Sequence, residues 1–381
     1  MSQNVGDYGI LFHWSRLDWL FDDEQAAKEF YENEYWKGTM PAGFKNDKDG
    51  NYYLSVPRWE AGIPATVSRI EVVDGKAMLR AYPSWEMNTA GDVSALQSVL
   101  GWEIDELNRA WFLDQGHIQG APCKDGAQKI VCWDISSNEL VESIPVPDEI
   151  ASYEASFLND LVVDNLNGFV YIADSGIFTD PLQGGLIVYN MQTKALRRVL
   201  HQHESTQDKP GYWFKIAGKR VWKDRPMRTG ADGIALSADR KTLYWCALTA
   251  RNLYCIDTAL LQDYATPQEE IAKAVVDLGD KGTNTDGMGA DNLGNIYYTM
   301  LEGKGIGIYD PDERTFSEFV NDERMIWVDG MTFDNKGSLI FNSNRLHELF
   351  QGDLDWDNPY NLIVWKAYLG EGMKSYLYYS K

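Results

Sequence analysis

The chain has 381 residues, of which 35 are Lys or Arg and 57 are Asp or Glu, so its formal net charge at pH 7 is −22. This acidity disfavours nucleic acids and anionic membrane surfaces as partners, because both attract clustered cations. No segment approaches the roughly 20 consecutive apolar residues of a membrane-spanning helix.

Two elements are predicted ahead of residue 44. The apolar run 10–14 predicts a β-strand, and residues 16–36 predict a helix because Leu17, Leu20 and Phe30 recur at helical spacing. We assign residues 1–43 to an N-terminal helical and closure segment, whose strand pairs with the last sheet of the fold and protects its edge.

A core phrase recurs six times along the rest of the chain. Each copy pairs two β-branched or aromatic runs across a polar turn, which predicts a β-hairpin. The copies occupy 44–56, 99–114, 159–174, 232–247, 286–301 and 329–344. A second hairpin follows each copy, at 66–82, 128–144, 185–200, 252–257 with a weaker partner, 305–320 and 361–378.

Six units of four strands predict an all-β fold over residues 44–381, a six-bladed β-propeller with four-stranded antiparallel blades. A single sheet cannot bury its faces alone, so the units pack around a central channel. Three insertions, at 201–231, 258–285 and 345–360, interrupt the repeat. Functional residues concentrate on the loops of rigid scaffolds, so we expect these insertions to form the walls of a pocket over the channel.

The residues that open the core phrases are the first candidates for chemistry, because these positions converge at the channel mouth of a propeller. In the first two blades they are Ala42 and Leu100, and in the other four they carry side-chain oxygens: Asn159, Asp232, Asp286 and Asp329. Such oxygens suit a hard cation, with calcium as the candidate cofactor, or a polar ligand. The alternative is structural, because Asp at a strand entry often caps a turn. Four acids that lie five residues further along a core phrase are predicted turn caps: Asp105, Asp164, Asp291 and Asp334.

Further side chains extend this candidate site. Asp286 and Asp232 are candidates for a catalytic base or an anchor, and His117, at a blade exit, is a candidate acid or base with a pKa near neutrality. His347 has a similar position, whereas His201 and His203 fall in a polar loop where solvent exposure is the simpler interpretation. The candidate ligand-binding residues, beside Asn159 and Asp329, are Phe178, Trp213, Trp327 and Asn344.

The cysteine spacing and the N-terminal residues indicate the cellular compartment of the protein. Cys246 and Cys255 lie opposite each other if the hairpin turn centres on residues 250 and 251, so a cross-strand disulfide is one interpretation and buried thiols are the other. Cys123 and Cys132 have the same spacing. The start, MSQNVGDYG, lacks the basic and apolar regions of a signal peptide. We therefore expect a cytoplasmic protein for the chain as given, or a secreted one if the chain is a mature form.

Several stretches resemble the yellow/major royal jelly protein family, in the family's order. The most specific are VPRWEAGIPATVSRI (56–70) and SNRLHELFQGDLDWDNPYN (343–361), joined by AYPSWEMN (81–88), LNDLVVDNLNGFVYIADSG (158–176), GGLIVYNMQTKALRRV (184–199), GADGIALSADRKTLYW (230–245) and VVDLGDKG (275–282). The resemblance implies a six-bladed propeller, in agreement with the repeat count. Unlike many insect members, the chain lacks a signal peptide and a family cysteine, which predicts a distant member.

The resemblance implies several activities. Members are associated with dopachrome conversion, with binding of biogenic amines in the channel, or with nutritive and structural roles. The inner strands are also similar to those of gluconolactonase and regucalcin propellers, which hold a divalent metal with Glu, Asn and Asp. By that similarity the metal ligands here are Asn159, Asp232 and Asp286, with Glu60 as the candidate for the Glu.

Three functions follow from these features. The first is an enzyme acting in the channel, an isomerase, tautomerase or cyclising catalyst on a quinone-like or polarised cyclic substrate, with a metal-dependent lactone hydrolase as its variant. The second is a non-catalytic binder of aromatic amines, and the third is an interaction protein. No GxSxG, Walker, dinucleotide or HExxH motif is present, so the corresponding enzyme classes have no support. A small molecule is the expected partner, and the oligomeric state stays open.

Overall fold

Each predicted pair of hairpins forms one sheet in the computed structural model, which describes residues 3–379. Within those residues, six four-stranded antiparallel sheets contact one another in chain order through their innermost strands. The sixth sheet also contacts the first, so the ring is closed. The predicted six-bladed β-propeller is therefore confirmed.

The strands have the following bounds. The N-terminal strand is β1 (Tyr8–Trp14), and blade 1 holds β2 (Phe44–Asn46), β3 (Tyr52–Ser55), β4 (Val67–Val73) and β5 (Lys76–Ala81). Blade 2 holds β6 (Val99–Ile104), β7 (Arg109–Asp114), β8 (Lys129–Asp134) and β9 (Glu139–Pro145). Blade 3 holds β10 (Leu158–Asp164), β11 (Phe169–Asp174), β12 (Gly185–Asn190) and β13 (Leu196–Val199).

A short ribbon, β14 (Lys215–Ile216) and β15 (Lys219–Arg220), precedes the second half of the ring. Blade 4 holds β16 (Ala231–Leu236), β17 (Thr242–Ala247), β18 (Asn252–Asp257) and β19 (Val276–Asp280). Blade 5 holds β20 (Met288–Ala290), β21 (Ile296–Met300), β22 (Gly305–Asp310) and β23 (Thr315–Asn321). Blade 6 holds β24 (Trp327–Phe333), β25 (Ser338–Asn344) and β26 (Leu362–Tyr368), and its fourth strand is β1.

The two ends of the chain close the ring in different ways. Strand β1 pairs antiparallel with β26, with Ile10 opposite Trp365, as the sequence predicted. The second hairpin predicted at 361–378 is wrong in its second half, because β1 occupies the outer edge where that strand would pair. The chain instead runs beneath the ring and ends in a 3₁₀-helix, Tyr376–Tyr378.

The helices lie outside the blades. The predicted helix 16–36 is shorter in the structure: α1 covers Glu24–Glu32, followed by a 3₁₀-helix at Tyr35–Gly38. Trp19 instead forms a β-bridge to Leu79, and Asp23 caps α1, so the helix cannot start earlier. The other helices of the described chain are α2 (Thr258–Gln262), α3 (Gln268–Ala274), α4 (Leu346–Gln351), and 3₁₀-helices at Glu86–Asn88 and Glu204–Thr206. None of these helices has the length and apolar character to cross a membrane.

The four cysteines are free thiols, so the proposed disulfides do not form. The register of β17 and β18 places Tyr244, and not Cys246, opposite Cys255. Cys246 instead contacts the sulfur of Met288 at 3.6 Å, and Cys123 lies in a loop. Buried thiols, the second interpretation, describe three of the four, and Cys255 is partly exposed.

The turn acids behave as predicted. Asp291 accepts hydrogen bonds from the backbone N–H groups of residues 293, 294 and 295, and Asp105 accepts from those of Leu107 and Arg109. Asp164 and Asp334 accept hydrogen bonds from backbone N–H groups in the same way. Because these turns join the two strands of a core phrase, each acid stabilises the hairpin to which it belongs.

Candidate functional site

The structure brings the strand-entry side chains together at one end of the channel, here called the upper pocket. Its cavity measures about 200 Å³. Asn159, Asp232, Asp286 and Asp329 all line it, at the point where β10, β16, β20 and β24 start or are about to start. The convergence predicted from the repeat is therefore confirmed as geometry.

The polar side chains of the upper pocket form a connected floor. The Asn159 amide donates a hydrogen bond to Asp232 Oδ2 at 2.8 Å, and the Asp232 and Asp286 carboxyl groups lie close enough to share another. The indole Nε1–H of Trp327 donates to Asp286 Oδ2 at 2.5 Å. Asn344 donates to Asp329 at 3.1 Å and therefore supports the floor from behind.

Burial and mutual repulsion make these carboxyl groups hard to ionise. Loss of solvent raises the pKa of Asp232 well above its usual value, and the charge of Asp286 raises it further. Burial likewise raises the pKa of Asp286 to about 6, although the Trp327 hydrogen bond opposes the shift. The pKa of Asp329 is raised by burial and then by Asp286. Near neutral pH the floor therefore holds both protons and negative charge.

The opposite half of the upper pocket is apolar. Leu100, the blade 2 counterpart of the acids, packs with Ala42 and Phe157 in one buried cluster. Trp59 and Phe178 pack against this cluster and face the cavity. A bound molecule would thus meet carboxyl groups on one side and aromatic faces on the other, the combination that holds a flat, polar ring.

His117 reaches the pocket from the apolar side. Its Nδ1 lies 2.7 Å from the carbonyl oxygen of Ala121, which makes Nδ1 the protonated nitrogen and leaves Nε2 as an acceptor. Nε2 is buried and has no hydrogen-bond partner among residues 3–379, and the ring contacts that of Phe178 at 4.5 Å between centroids. Burial lowers the pKa of His117, so the neutral ring is favoured at neutral pH.

Several predicted site residues lie elsewhere. Trp213 stacks under Arg220 at 3.9 Å on a separate surface cavity, because the 201–231 insertion turns it away from the channel. Glu60 is exposed and lies beside Gly38, since the chain turns outward after Trp59. His347 is buried behind Trp327, with ring centroids 6.0 Å apart, and burial lowers its pKa to about 4.

Sequence reasoning missed part of the pocket wall. Trp59 is one residue from the wrongly chosen Glu60, and Phe157 precedes β10. Phe350 and Met227 come from insertions that were expected to wall the channel, but no spacing signal singles them out. The insertion 201–231 is held against the pocket by Phe214 and Trp222, whose rings contact that of Trp327 at 5.5 and 6.0 Å.

The residues present do not fit the divalent metal that the resemblance implied. Within residues 3–379, no group of three or more His, Cys, Asp or Glu side chains is arranged to hold a metal ion. The Glu position is unfilled because Glu60 points outside, and blade 1 offers Ala42 at the axial position. Asn159 and Trp327 already occupy Asp232 Oδ2 and Asp286 Oδ2 with hydrogen bonds. Among the described residues, the floor therefore does not supply the donor set that a metal-dependent lactone hydrolase would need.

Below the floor, the channel narrows to a cavity of about 30 Å³ that joins the upper pocket to the lower end. Lys45 lies there and donates to the carbonyl oxygen of Met331 at 2.9 Å and to Glu103 at 3.3 Å. Burial raises the pKa of Asp160 to about 7, although the charge of Lys45 lowers it. Titratable groups thus continue along the axis beyond the pocket.

Comparisons with known proteins agree over most of the chain. The family model described as "Major royal jelly protein" matches residues 97–375. Major royal jelly protein 3 of Apis mellifera is 26% identical over 285 residues, which cover 68% of this chain and 47% of that protein. Protein yellow of Drosophila guanche is 26% identical over 385 residues, which cover 93% of this chain and 64% of that protein. The chain thus spans about half to two thirds of these curated relatives.

Solved structures share the fold at low sequence identity. A luciferin-regenerating enzyme superposes with a TM-score of 0.53 at 15% identity, covering 88% of this chain and 93% of that one. Regucalcin from Agrobacterium tumefaciens, titled a calcium-binding protein, has a TM-score of 0.50 at 12% identity, covering 89% and 93%. At such identities the likeness concerns the fold alone. The predicted similarity to regucalcin-type propellers is therefore confirmed for the fold.

Proposed function

This chain belongs to the major royal jelly protein family, and we propose on that premise that it is an enzyme that moves a proton on a small aromatic or quinone-like molecule held in the upper pocket. The family model covers residues 97–375, so the resemblance predicted from the sequence is confirmed. The reaction class is an isomerisation or tautomerisation, which needs a base, an acid and a shaped pocket, and no cofactor.

One observation carries the proposal: two carboxyl groups, Asp232 and Asp286, share a site at the floor of a largely apolar cavity with an aromatic wall. Like charges in contact cannot both ionise readily, so such a pair retains one proton and offers one carboxylate. The pair is therefore equipped with an acid and a base at the same pH. Trp327 stabilises negative charge on Asp286 through its Nε1–H, which favours Asp286 as the base.

The proton balance of the step is simple. The Asp286 carboxylate takes a proton from an acidified ring carbon, the electron pair moves towards a carbonyl or imine, and the Asp232 carboxylic acid gives its proton to that oxygen or nitrogen. One proton is removed and one is delivered, so the substrate is isomerised and the pair is left with its proton transferred from Asp232 to Asp286. Transfer across their shared hydrogen bond restores the starting state.

His117 has a supporting role in this scheme. Its unpartnered Nε2 is an acceptor for a hydroxyl group of the substrate, and its ring forms one aromatic wall with Phe178. Because burial keeps the ring neutral, it adds no positive charge that would compete with the acid pair. We assign His117 to substrate orientation. Its Nε2 can also take a proton from a substrate hydroxyl group and return it.

The test is turnover of cyclised quinone amines, followed by the loss of their visible absorbance. We expect catalysis by the wild type, a fall of about 100-fold or more in kcat for Asp286→Asn, and unchanged kcat for Asp312→Asn, an exposed acid outside the pocket. Absence of turnover for every quinone tested, with the protein folded, would remove the enzyme proposal.

A second candidate, a binder of aromatic amines, is favoured by the charge of the same floor. Asp232, Asp286 and Asp329 surround a position that suits an ammonium group, and Trp59 and Phe178 supply aromatic faces for cation–π contact. Saturable binding of an amine at one site, without any chemical change in the amine or in the quinones, would favour this candidate over the enzyme.

A further inference from the structure

The upper pocket opens into a wider vestibule that has a different chemical character. The vestibule has a volume of about 690 Å³ and shares five lining residues with the pocket, so the two cavities are continuous: Ile177, Phe178, Met227, Thr229 and Phe350. Arg225 and Arg228 line the vestibule and are absent from the pocket wall. A molecule seated on the acidic floor would extend outward towards these guanidinium groups.

The vestibule wall comes from a segment whose charge is opposite to that of the whole chain. Residues 201–231 contain seven Lys or Arg and three Asp or Glu, whereas the chain carries a net charge of −22. The segment is fixed above the channel by Phe214 and Trp222, which pack on Trp327. Its cations are therefore placed at the entrance of a pocket whose floor is acidic.

The two arginines of the vestibule have different surroundings. Arg228 binds Asp208 at 2.7 Å and Asp180 at 2.6 Å, and so joins two loops of the rim with its charge compensated. Asp180 is also the one acid that lines the vestibule among the described residues. Arg225 is exposed, and within residues 3–379 its guanidinium forms no ion pair or side-chain hydrogen bond. One guanidinium thus faces the vestibule with its donors free.

We infer that Arg225 binds an anionic group of the substrate, so that the ligand class of this protein is an aromatic zwitterion, such as an aromatic amino acid or a cyclised derivative. This inference rests on the proposed function of the upper pocket. The ring and the amino group occupy the pocket, against the aromatic wall and the acidic floor, and a carboxylate lies in the vestibule. A planar guanidinium with two parallel N–H donors matches a carboxylate in geometry and charge.

The opposite charges at the two ends also fix the direction of binding. An anionic group is repelled by Asp232, Asp286 and Asp329, and an ammonium group is repelled by Arg225. A zwitterion is therefore turned so that its ammonium group points towards the acidic floor and its carboxylate points towards Arg225. A ligand without the carboxylate keeps the contacts of the pocket and loses this orientation.

The experiment compares L-tryptophan with tryptamine, two ligands that differ only in the carboxylate, by calorimetric titration of the full chain. We expect Arg225→Gln to weaken tryptophan binding about fivefold and to leave tryptamine binding unchanged, since a partly exposed ion pair has this order of effect. Arg225→Lys retains the charge without the planar fork and should give a smaller loss. Arg220→Gln is the matched control, because Arg220 belongs to the same segment but lines another cavity.

Each outcome bears on a separate step. Equal weakening of both ligands by Arg225→Gln, or unchanged tryptophan binding, would overturn the role of Arg225. The proposal for the upper pocket would still stand in that case if the wild type binds tryptamine. Failure of the wild type to bind either ligand would overturn the proposed pocket, and the assignment of Arg225 with it. Loss confined to tryptophan, with Arg220→Gln unaffected, would establish the carboxylate subsite.

Discussion

The two ends of the channel are built from the same strands but hold their polar groups in different ways. At the upper end, Asp232 and Asp286 face a cavity of about 200 Å³, with repulsion between them and, in the described part of the chain, no Lys or Arg bound to either. At the lower end, a cavity of about 30 Å³ is closed by the C-terminal 3₁₀-helix. The upper end is thus an open acidic pocket, and the lower end is a closed plug.

The plug is held by polar contacts within the chain. The Tyr376 hydroxyl contacts both the backbone N–H and the carbonyl oxygen of Val163 at 3.0 Å. Arg240 lies over the Tyr376 ring at 4.6 Å and donates to its backbone carbonyl at 2.8 Å. Lys45, at the same end, is paired with Glu103. Paired groups of this kind stabilise a fold, because a buried polar group costs free energy only while it lacks a partner.

This difference shows where the fold supports chemistry. Carboxyl groups that are buried together without a cationic partner have raised pKa values. Their ionised form is disfavoured, and a bound ligand can stabilise it. Lys45 and Tyr376 at the lower end already have their partners within the chain. Four experiments test whether the lower end serves stability and the upper end serves ligand binding.

The largest effect is expected at the plug. Tyr376→Ala removes a fully buried aromatic ring and its hydrogen bonds, so we expect the free energy of unfolding to fall by about 3–5 kcal/mol. Denaturant titration measures the change, and Tyr376→Phe, which keeps the ring, should lose only about 1–2 kcal/mol. A loss below about 1 kcal/mol for Tyr376→Ala would contradict a structural role for the lower end.

The pH dependence of stability tests the buried acids along the channel. The pKa of Asp286 is raised to about 6 and that of Asp160 to about 7, both above the usual value near 3.9 of an unfolded Asp. The folded protein therefore keeps protons on these two acids that the unfolded chain has released, so the stability that they contribute is complete below pH about 4 and is lost as pH rises through 6 and 7.

Denaturant titrations between pH 4 and pH 8 measure this slope. We expect Asp286→Asn to flatten it near pH 6 and Asp160→Asn to flatten it near pH 7, while the exposed Asp312→Asn keeps it. A slope that neither axial substitution changes would mean that these acids ionise as freely as in the unfolded chain.

A smaller effect is expected at the aromatic wall of the upper pocket. Phe178 is half-buried and contacts His117 and Phe157, so Phe178→Ala should cost less than about 1 kcal/mol of stability. Affinity for an aromatic amine should fall roughly tenfold, because an aromatic face contributes about 1–1.5 kcal/mol to such contacts. The reverse pattern, unstable protein with unchanged affinity, would assign this wall to the fold.

Calcium should have the smallest effect. The donor set of the floor does not fit a divalent metal, so we expect the melting temperature of chelator-treated protein to stay unchanged when calcium is added. Thermal unfolding with increasing calcium measures this directly. A saturable rise that disappears in Asp286→Asn would contradict the expectation and place a cation among the axial acids.

The architecture was predictable because the repeat is local. Each core phrase contains its own turn acid, such as Asp291, and its own pair of strands, so hairpins can be read from neighbouring residues. The closing strand β1 was also predicted, from its apolar run. The outer strand predicted after β26 was wrong. A local pattern does not show whether the N-terminal strand or the segment after β26 pairs at the outer edge of blade 6.

The site was predictable only in part. The axial positions follow from the repeat, and Asn159, Asp232, Asp286 and Asp329 do meet. Trp213 and Glu60 were placed wrongly because their direction depends on loops whose path no periodicity describes. Phe350, Trp59 and Met227 were missed for the same reason.

The sequence by itself determined the six blades, their strand order within each phrase and the four polar positions on the axis, because these depend on short-range alternation of apolar and polar residues. Only the tertiary structure decided that Asp232 contacts Asp286, that His117 presents an unpartnered Nε2, that Tyr376 closes one end, and that Arg225 faces the other. These contacts join residues far apart in the chain, and their geometry is set by ring closure and loop packing.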